Sequence, residues 1–178
     1  MMRTLSLTMA AAILATGSGT LTPAIAETAA VADGACGGLV GTFLTRKMIG
    51  EEDAIEEEGR SLISFTNGGH VFFNDSAQGG GEGYQPFTTA RGAWSCEAAD
   101  GGATFAFAVI DFTLATADNP DEGLARVDVT GRYDAADGTI SGSAIVSFYP
   151  LTADPIAKTG ALPGSATYNF SGEKIPAP

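Results

Sequence analysis

Leu62-Ile63-Ser64-Phe65-Thr66, then Asn67-Gly68-Gly69, then His70-Val71-Phe72-Phe73-Asn74: this run opens a stretch, residues 60–116, that decides the fold. After a glycine-rich segment it continues as Thr88-Thr89-Ala90-Arg91-Gly92-Ala93-Trp94-Ser95-Cys96. A turn at Ala99-Asp100-Gly101-Gly102 leads into Ala103-Thr104-Phe105-Ala106-Phe107-Ala108-Val109-Ile110-Asp111-Phe112-Thr113-Leu114. Apolar residues recur every second position, and glycine-bearing turns separate the runs. That period belongs to consecutive antiparallel strands, and Asn-Gly supplies the positive φ that a tight hairpin needs.

Working outward, the same pattern predicts a first strand at residues 39–48. Later strands are expected at 124–133, 139–149 and 164–174, with a hairpin at Asp137-Gly138. In the sixth strand Ala125, Val127, Val129, Gly131 and Tyr133 share one face, opposite Arg126, Asp128, Thr130 and Arg132. Neither face of residues 103–115 is strongly polar, which predicts that this strand is covered on both sides for part of its length. No helical period is sustained. Eight strands joined neighbour to neighbour predict an all-β domain, a mostly up-and-down antiparallel barrel that leaves no free edge. A two-sheet sandwich is the competing arrangement.

The beginning of the chain reads differently. Met1-Met2-Arg3 gives a positive start, residues 5–14 are a short apolar run, and Ala24-Ile25-Ala26 is an A-x-A ending. These are the marks of a secretory leader over residues 1–26. The apolar run is too short for a comfortable membrane span. Residues 27–37 are expected as a flexible lead-in, 38–175 as the barrel and 176–178 as a tail. About 150 residues remain after the leader, enough for one core. The localisation implied is periplasmic or extracellular, with no membrane insertion.

The formal net charge is −12, so phosphate backbones and anionic headgroups would be repelled and nucleic acid is not an expected partner. Cys36 and Cys96 are the only cysteines. In an oxidising compartment an even count points to a disulfide, ahead of free thiols or a redox pair.

Gly41-Thr42-Phe43-Leu44, residues 62–71, Arg91-Gly92-Ala93-Trp94, residues 103–107, Asp128-Val129-Thr130-Gly131 and Gly138-Thr139-Ile140-Ser141-Gly142 together resemble a family of exported bacterial proteins. Their architecture is similar to calycin-like and allene oxide cyclase-like barrels. The resemblance covers about residues 38–175. It implies a fold and carries no functional residue, because its motifs are turn glycines and core aromatics. The chain departs from the pattern at Phe43, where tryptophan is usual, and in the acidic insertion 50–59. The cysteine pair is also no part of the pattern.

Catalytic signals are sparse. His70 is the only histidine; it sits beside a turn and reads as a turn residue. No G-x-S-x-G is present, and a zinc site would want more His or Cys ligands. The acidic stretches at 51–58 and 118–122 lack the calcium-loop spacing and read as solvated. No motif asks for a cofactor, a metal or a catalytic set. The candidate ligand-contacting residues are those expected in the barrel interior: Phe105, Phe107, Asp111, Trp94 and Arg91. Asp111 is expected near the barrel mouth, solvated or paired with Arg91 or Arg126, ahead of pointing into the lumen with a raised pKa. The leading expectation is a non-catalytic barrel that binds a small apolar molecule. The alternatives are a cyclase- or isomerase-type enzyme using Asp111, or a structural protein of the cell envelope.

Overall fold

The computed structural model describes residues 34–49, 56–81 and 84–178. The leader, most of the lead-in, and residues 50–55 and 82–83 lie outside them. A 3-10 turn, Ala35–Leu39, precedes eight strands: β1 Gly41–Ile49, β2 Glu56–Phe65, β3 His70–Asp75, β4 Ala90–Ala99, β5 Gly102–Thr113, β6 Gly123–Asp134, β7 Thr139–Pro150 and β8 Ser165–Lys174. Each strand pairs antiparallel with its sequence neighbour, and β1 also pairs with β8, so the sheet closes into an up-and-down barrel. Closure gives every strand two partners, which is why the edgeless arrangement prevails over a sandwich.

Three boundaries differ from expectation. Leu39 leaves the first strand because it belongs to the 3-10 turn and is wholly buried. Part of the acidic stretch is strand: Glu56, Glu57 and Gly59 pair with Ile49, Met48 and Lys47 of β1. β4 starts at Ala90 and runs past Cys96 to Ala99. Residues 87–89 still hug the end of β5, Thr88 N–H donating to the Phe112 carbonyl at 3.0 Å. The outer side of β5 is half-buried at Ala108 and Ile110 and open at Thr104, Ala106 and Phe112, the last exposed at 54%.

Alternate residues of each strand fill the interior. Phe65 sits at its centre, edge-on to Trp94, Phe105, Phe107 and Phe43 with ring centroids 5.2, 5.5, 5.7 and 5.9 Å away. Such edge-to-face pairs contribute about 0.5–1.5 kcal/mol each beyond their burial. Trp94 keeps its indole N–H satisfied by donating to the Thr66 carbonyl at 3.0 Å. Gly92 fits because its missing Cβ would collide with the Ala108 carbonyl on β5. This close approach occurs without a register shift between the two strands.

The two ends of the barrel differ. One end carries the short turns and is stopped by the 3-10 turn. Cys36 is bridged to Cys96 across 60 residues, Leu39 is inserted into the core, and Lys174 Nζ donates to the Gly38 carbonyl at 2.8 Å. The lead-in thus ends as a plug rather than as loose chain. The other end carries the long connections, among them residues 76–81, 84–89, 114–122 and 151–164. Gln85 ties two of these together, its side-chain nitrogen donating to the carbonyls of Leu114, Asn119 and Asp121.

Candidate functional site at the polar end of the barrel

Moving from the plug toward the long connections, the inner face changes from aromatic to polar. On β1 the inward alternation runs Phe43, Thr45, Lys47. On β2 it runs from Phe65 through Ile63 to Ser61, on β3 from Val71 through Phe73 to Asp75, and on β5 from Phe105 to Asp111. Ser61 and Asp75 are direct cross-strand partners, as are Thr45 and Ser61. Tyr168 enters from β8 beside Ala144 and packs on the core.

Asp75 is fully served. Ser61 Oγ donates to its Oδ2 at 2.9 Å, Lys47 Nζ to its Oδ1 at 3.1 Å, and the Ala77 N–H to the same Oδ1 at 2.8 Å. Lys47 also lies 5.6 Å over the Tyr168 ring. With side-chain exposures of 13% and 3%, the Lys47–Asp75 pair is largely withdrawn from water. Such a pair is specific in geometry, and costly to break on one side only.

Asp111 has no such support. It is 4% exposed, and its Oδ1 is the one buried side-chain polar atom among the described residues without a hydrogen-bond partner. Burial pushes its carboxyl up to about 7, and the Asp75 carboxylate adds to the rise. Burial and then the same two carboxylates, Asp75 and Asp111, push the Tyr168 phenol well above its ordinary value. The inner face at this end is therefore of mixed polarity. It holds one paired carboxylate and one unpaired carboxyl, with a neutral phenol and an ammonium at its rim. A buried acceptor without a donor is the kind of group that a bound donor would satisfy.

Of the five residues the sequence nominates, four face inward. Trp94, Phe105 and Phe107 belong to the packed aromatic cluster, and Asp111 to the polar end. Arg91 does not join them. It lies exposed on the outer wall with its guanidinium 5.6 Å over the Phe72 ring, because its register position beside Phe72 and Ile110 is an outward one. Arg126 is also outside. It donates to both oxygens of Asp128, at 2.9 and 2.7 Å, and to the Pro155 carbonyl at 3.1 Å, while Lys158 reaches Asp128 at 3.2 Å. These contacts strap residues 151–164 against β6. Neither arginine pairs with Asp111.

Lys47, Ser61 and Asp75 escape a reading based on apolar periodicity, because each is a polar residue at an inward position; Tyr168 does not, since its alternation with Phe170 places it on the inner face of β8. Extending the third strand by one residue beyond Asn74 would have put Asp75 on the face of Val71 and Phe73. His70 is an exposed residue at the start of β3, beside the turn, whose backbone N–H donates to the Thr66 Oγ1 at 3.1 Å. The described residues hold no cluster of three or more metal-ligating side chains. Two concavities of about 760 and 530 Å³ lie away from this site, on the outer wall, lined by small residues such as Ser95, Ala106, Thr130 and Ser143.

The disulfide is compatible with an oxidising compartment. No described helix is long and apolar enough to cross a membrane. Set against models of protein families, curated proteins and solved structures, the chain matches none of them.

Proposed function

We propose that the chain is an exported, non-catalytic barrel that takes up one small molecule with an apolar body and a hydrogen-bond-donating head, at the long-connection end of its interior. The observation that carries this reading is the buried, unpartnered Oδ1 of Asp111. The apolar body would lie against Phe73, Ala90, Ala125 and Ala144, all buried inner-face residues, and the head would serve Asp111. The resemblance to exported calycin-like barrels, carried by the turn and core motifs of residues 38–175, supports the barrel part of this reading alone. The leader-like residues 1–26 support export.

The test is the mass of the native protein secreted by a periplasm-competent host, compared with its denatured mass. A released small molecule whose retention is lost in Asp111→Ala supports the reading. A bare native chain that takes up no small molecule from the host's own extract counts against it.

A second reading, an acid–base enzyme of cyclase or isomerase type, draws on one specific feature. A carboxyl near 7, facing a phenol and a second carboxylate, is poised to give and take a proton at neutral pH. Recovery of a chemically rearranged ligand from the native protein, but not from Asp111→Asn, would turn the assignment toward catalysis. An unchanged ligand in both would close that route.

A further inference from the structure

Among the described residues the charge inside the polar end does not balance. Three groups able to carry charge face it: the amine of Lys47 from β1, and the carboxyls of Asp75 from β3 and Asp111 from β5. Tyr168 from β8 is the fourth titratable group. The inward residues of the remaining strands at this end, Ser61, Ala90, Ala125 and Val146, carry no charge. Lys47 is committed to Asp75, touching both its oxygens at 3.1 Å. Among the described residues, ionised Asp111 therefore has no counter-charge. The two arginines close to it in sequence register point out of the barrel, one stacked on Phe72 and the other locked to Asp128.

We infer that the head group accepted by this site is a cation, a primary ammonium on a short apolar body, with Asp111 as its counter-ion. The inference rests on the interior-binding reading above and names its ligand class. An ammonium supplies both things the site lacks, a donor for the orphaned Oδ1 and one positive charge. A charge-assisted bond to a buried carboxylate is about twice as strong as a neutral one. The ring of Tyr168 already carries the Lys47 ammonium at 5.6 Å, so this end of the interior accommodates a cation beside an aromatic ring. A lipid headgroup is a poorer match than a free amine. The ammonium of a zwitterionic headgroup brings a phosphate with it, and that phosphate would meet Asp75 and Asp111.

Binding is tied to proton release. An ammonium pairs with ionised Asp111, so affinity rises as pH passes through about 7, the position to which burial moves this carboxyl. Between pH 5.5 and 8.5 the ionised fraction climbs about 30-fold, and affinity follows it. An alkylammonium remains charged throughout, since amines of this kind titrate near ~10.

The experiment uses the disulfide-bonded chain and three probes: butylammonium chloride, 1-butanol and phosphoethanolamine. Amide chemical-shift changes are followed by NMR at both pH values. Butylammonium should perturb residues around Asp111 and Tyr168, bind about 30-fold more tightly at pH 8.5, and lose both the preference and the pH dependence in Asp111→Asn. Butanol binding as tightly as butylammonium at pH 8.5 would overturn the cation and leave interior binding standing. Phosphoethanolamine matching butylammonium would overturn the free amine as the class. Failure of all three to reach the interior would remove the interior-binding reading and this inference with it.

Discussion

Asp111→Asn is expected to stabilise the protein at alkaline pH and to do little in acid. Burial, helped by Asp75, lifts the folded-state carboxyl from 3.8 to about 7. Between those values the folded chain holds a proton that the unfolded chain has released. The stability this proton confers is fully present below pH ~4 and is lost as pH rises through about 7. The gap corresponds to about 4 kcal/mol between the protonated and ionised forms. That figure is a ceiling, because water drawn toward the ionised carboxylate at the barrel mouth would relieve part of it. Asparagine keeps the shape and stays neutral, so it escapes the loss. A domain of this size shifts its melting midpoint by about 2–4 °C per kcal/mol. The variant should therefore melt above the parent by at most about 8–16 °C at pH 8.5, and within a degree or two of it at pH 4. The assay is a pair of thermal melts followed by near-ultraviolet circular dichroism at five pH values. Parallel curves, with a constant difference between parent and variant, would show that Asp111 ionises in the folded state as it does in the unfolded chain. The charge argument for the site would then collapse.

Four further outcomes are expected. Lys47→Met leaves the Asp75 carboxylate buried with its charge uncompensated and should cost about 3–5 kcal/mol in urea unfolding; Asp75→Asn added to it should recover much of that, and additive losses would contradict the pairing. The double variant Cys36→Ala/Cys96→Ala releases a 60-residue closure and should lose up to about 4 kcal/mol. A loss under about 1 kcal/mol would mean that Leu39 and the Lys174–Gly38 bond hold the plug alone. Gly92→Ala drives a methyl into the Ala108 carbonyl and should cost about 3 kcal/mol or prevent folding, whereas a neutral effect would show that β4 can move outward. Arg126→Ala should change global stability by less than about 1 kcal/mol, since the clamp is partly exposed, yet speed tryptic cleavage after Lys158; unchanged cleavage would show that residues 151–164 are held without Asp128.

The barrel was legible because its information is carried by period and punctuation. Val71 and Phe73, or Phe105, Phe107 and Val109, repeat every second residue, and a slip of one position would turn every one of them to solvent. That constraint extends over eight strands, and Gly69, Gly101 and Gly138, all at positive φ, mark where hairpins reverse. The disulfide was legible for a related reason: two cysteines allow one internal pairing. What the plug does was not, since Cys36 and Leu39 find burial only after the barrel end exists to receive them. The polar end was hidden more deeply. A lysine or an aspartate at an inward position is indistinguishable by type from one facing water, and period alone assigns it the wrong surroundings only when the reader expects an apolar lumen. Arg91 and Asp111 show both sides of this. Arg91 was placed inside on chemical grounds, as a partner for a carboxylate, although its register beside Phe72 points outward. Asp111 followed its period inward, and no counter-charge followed it. An energetically unfavourable carboxyl that the alternation of β5 places inside the barrel, with its acceptor atom unsatisfied, is a departure from the consistency that otherwise specifies this fold. Such departures are where function is most economically sought.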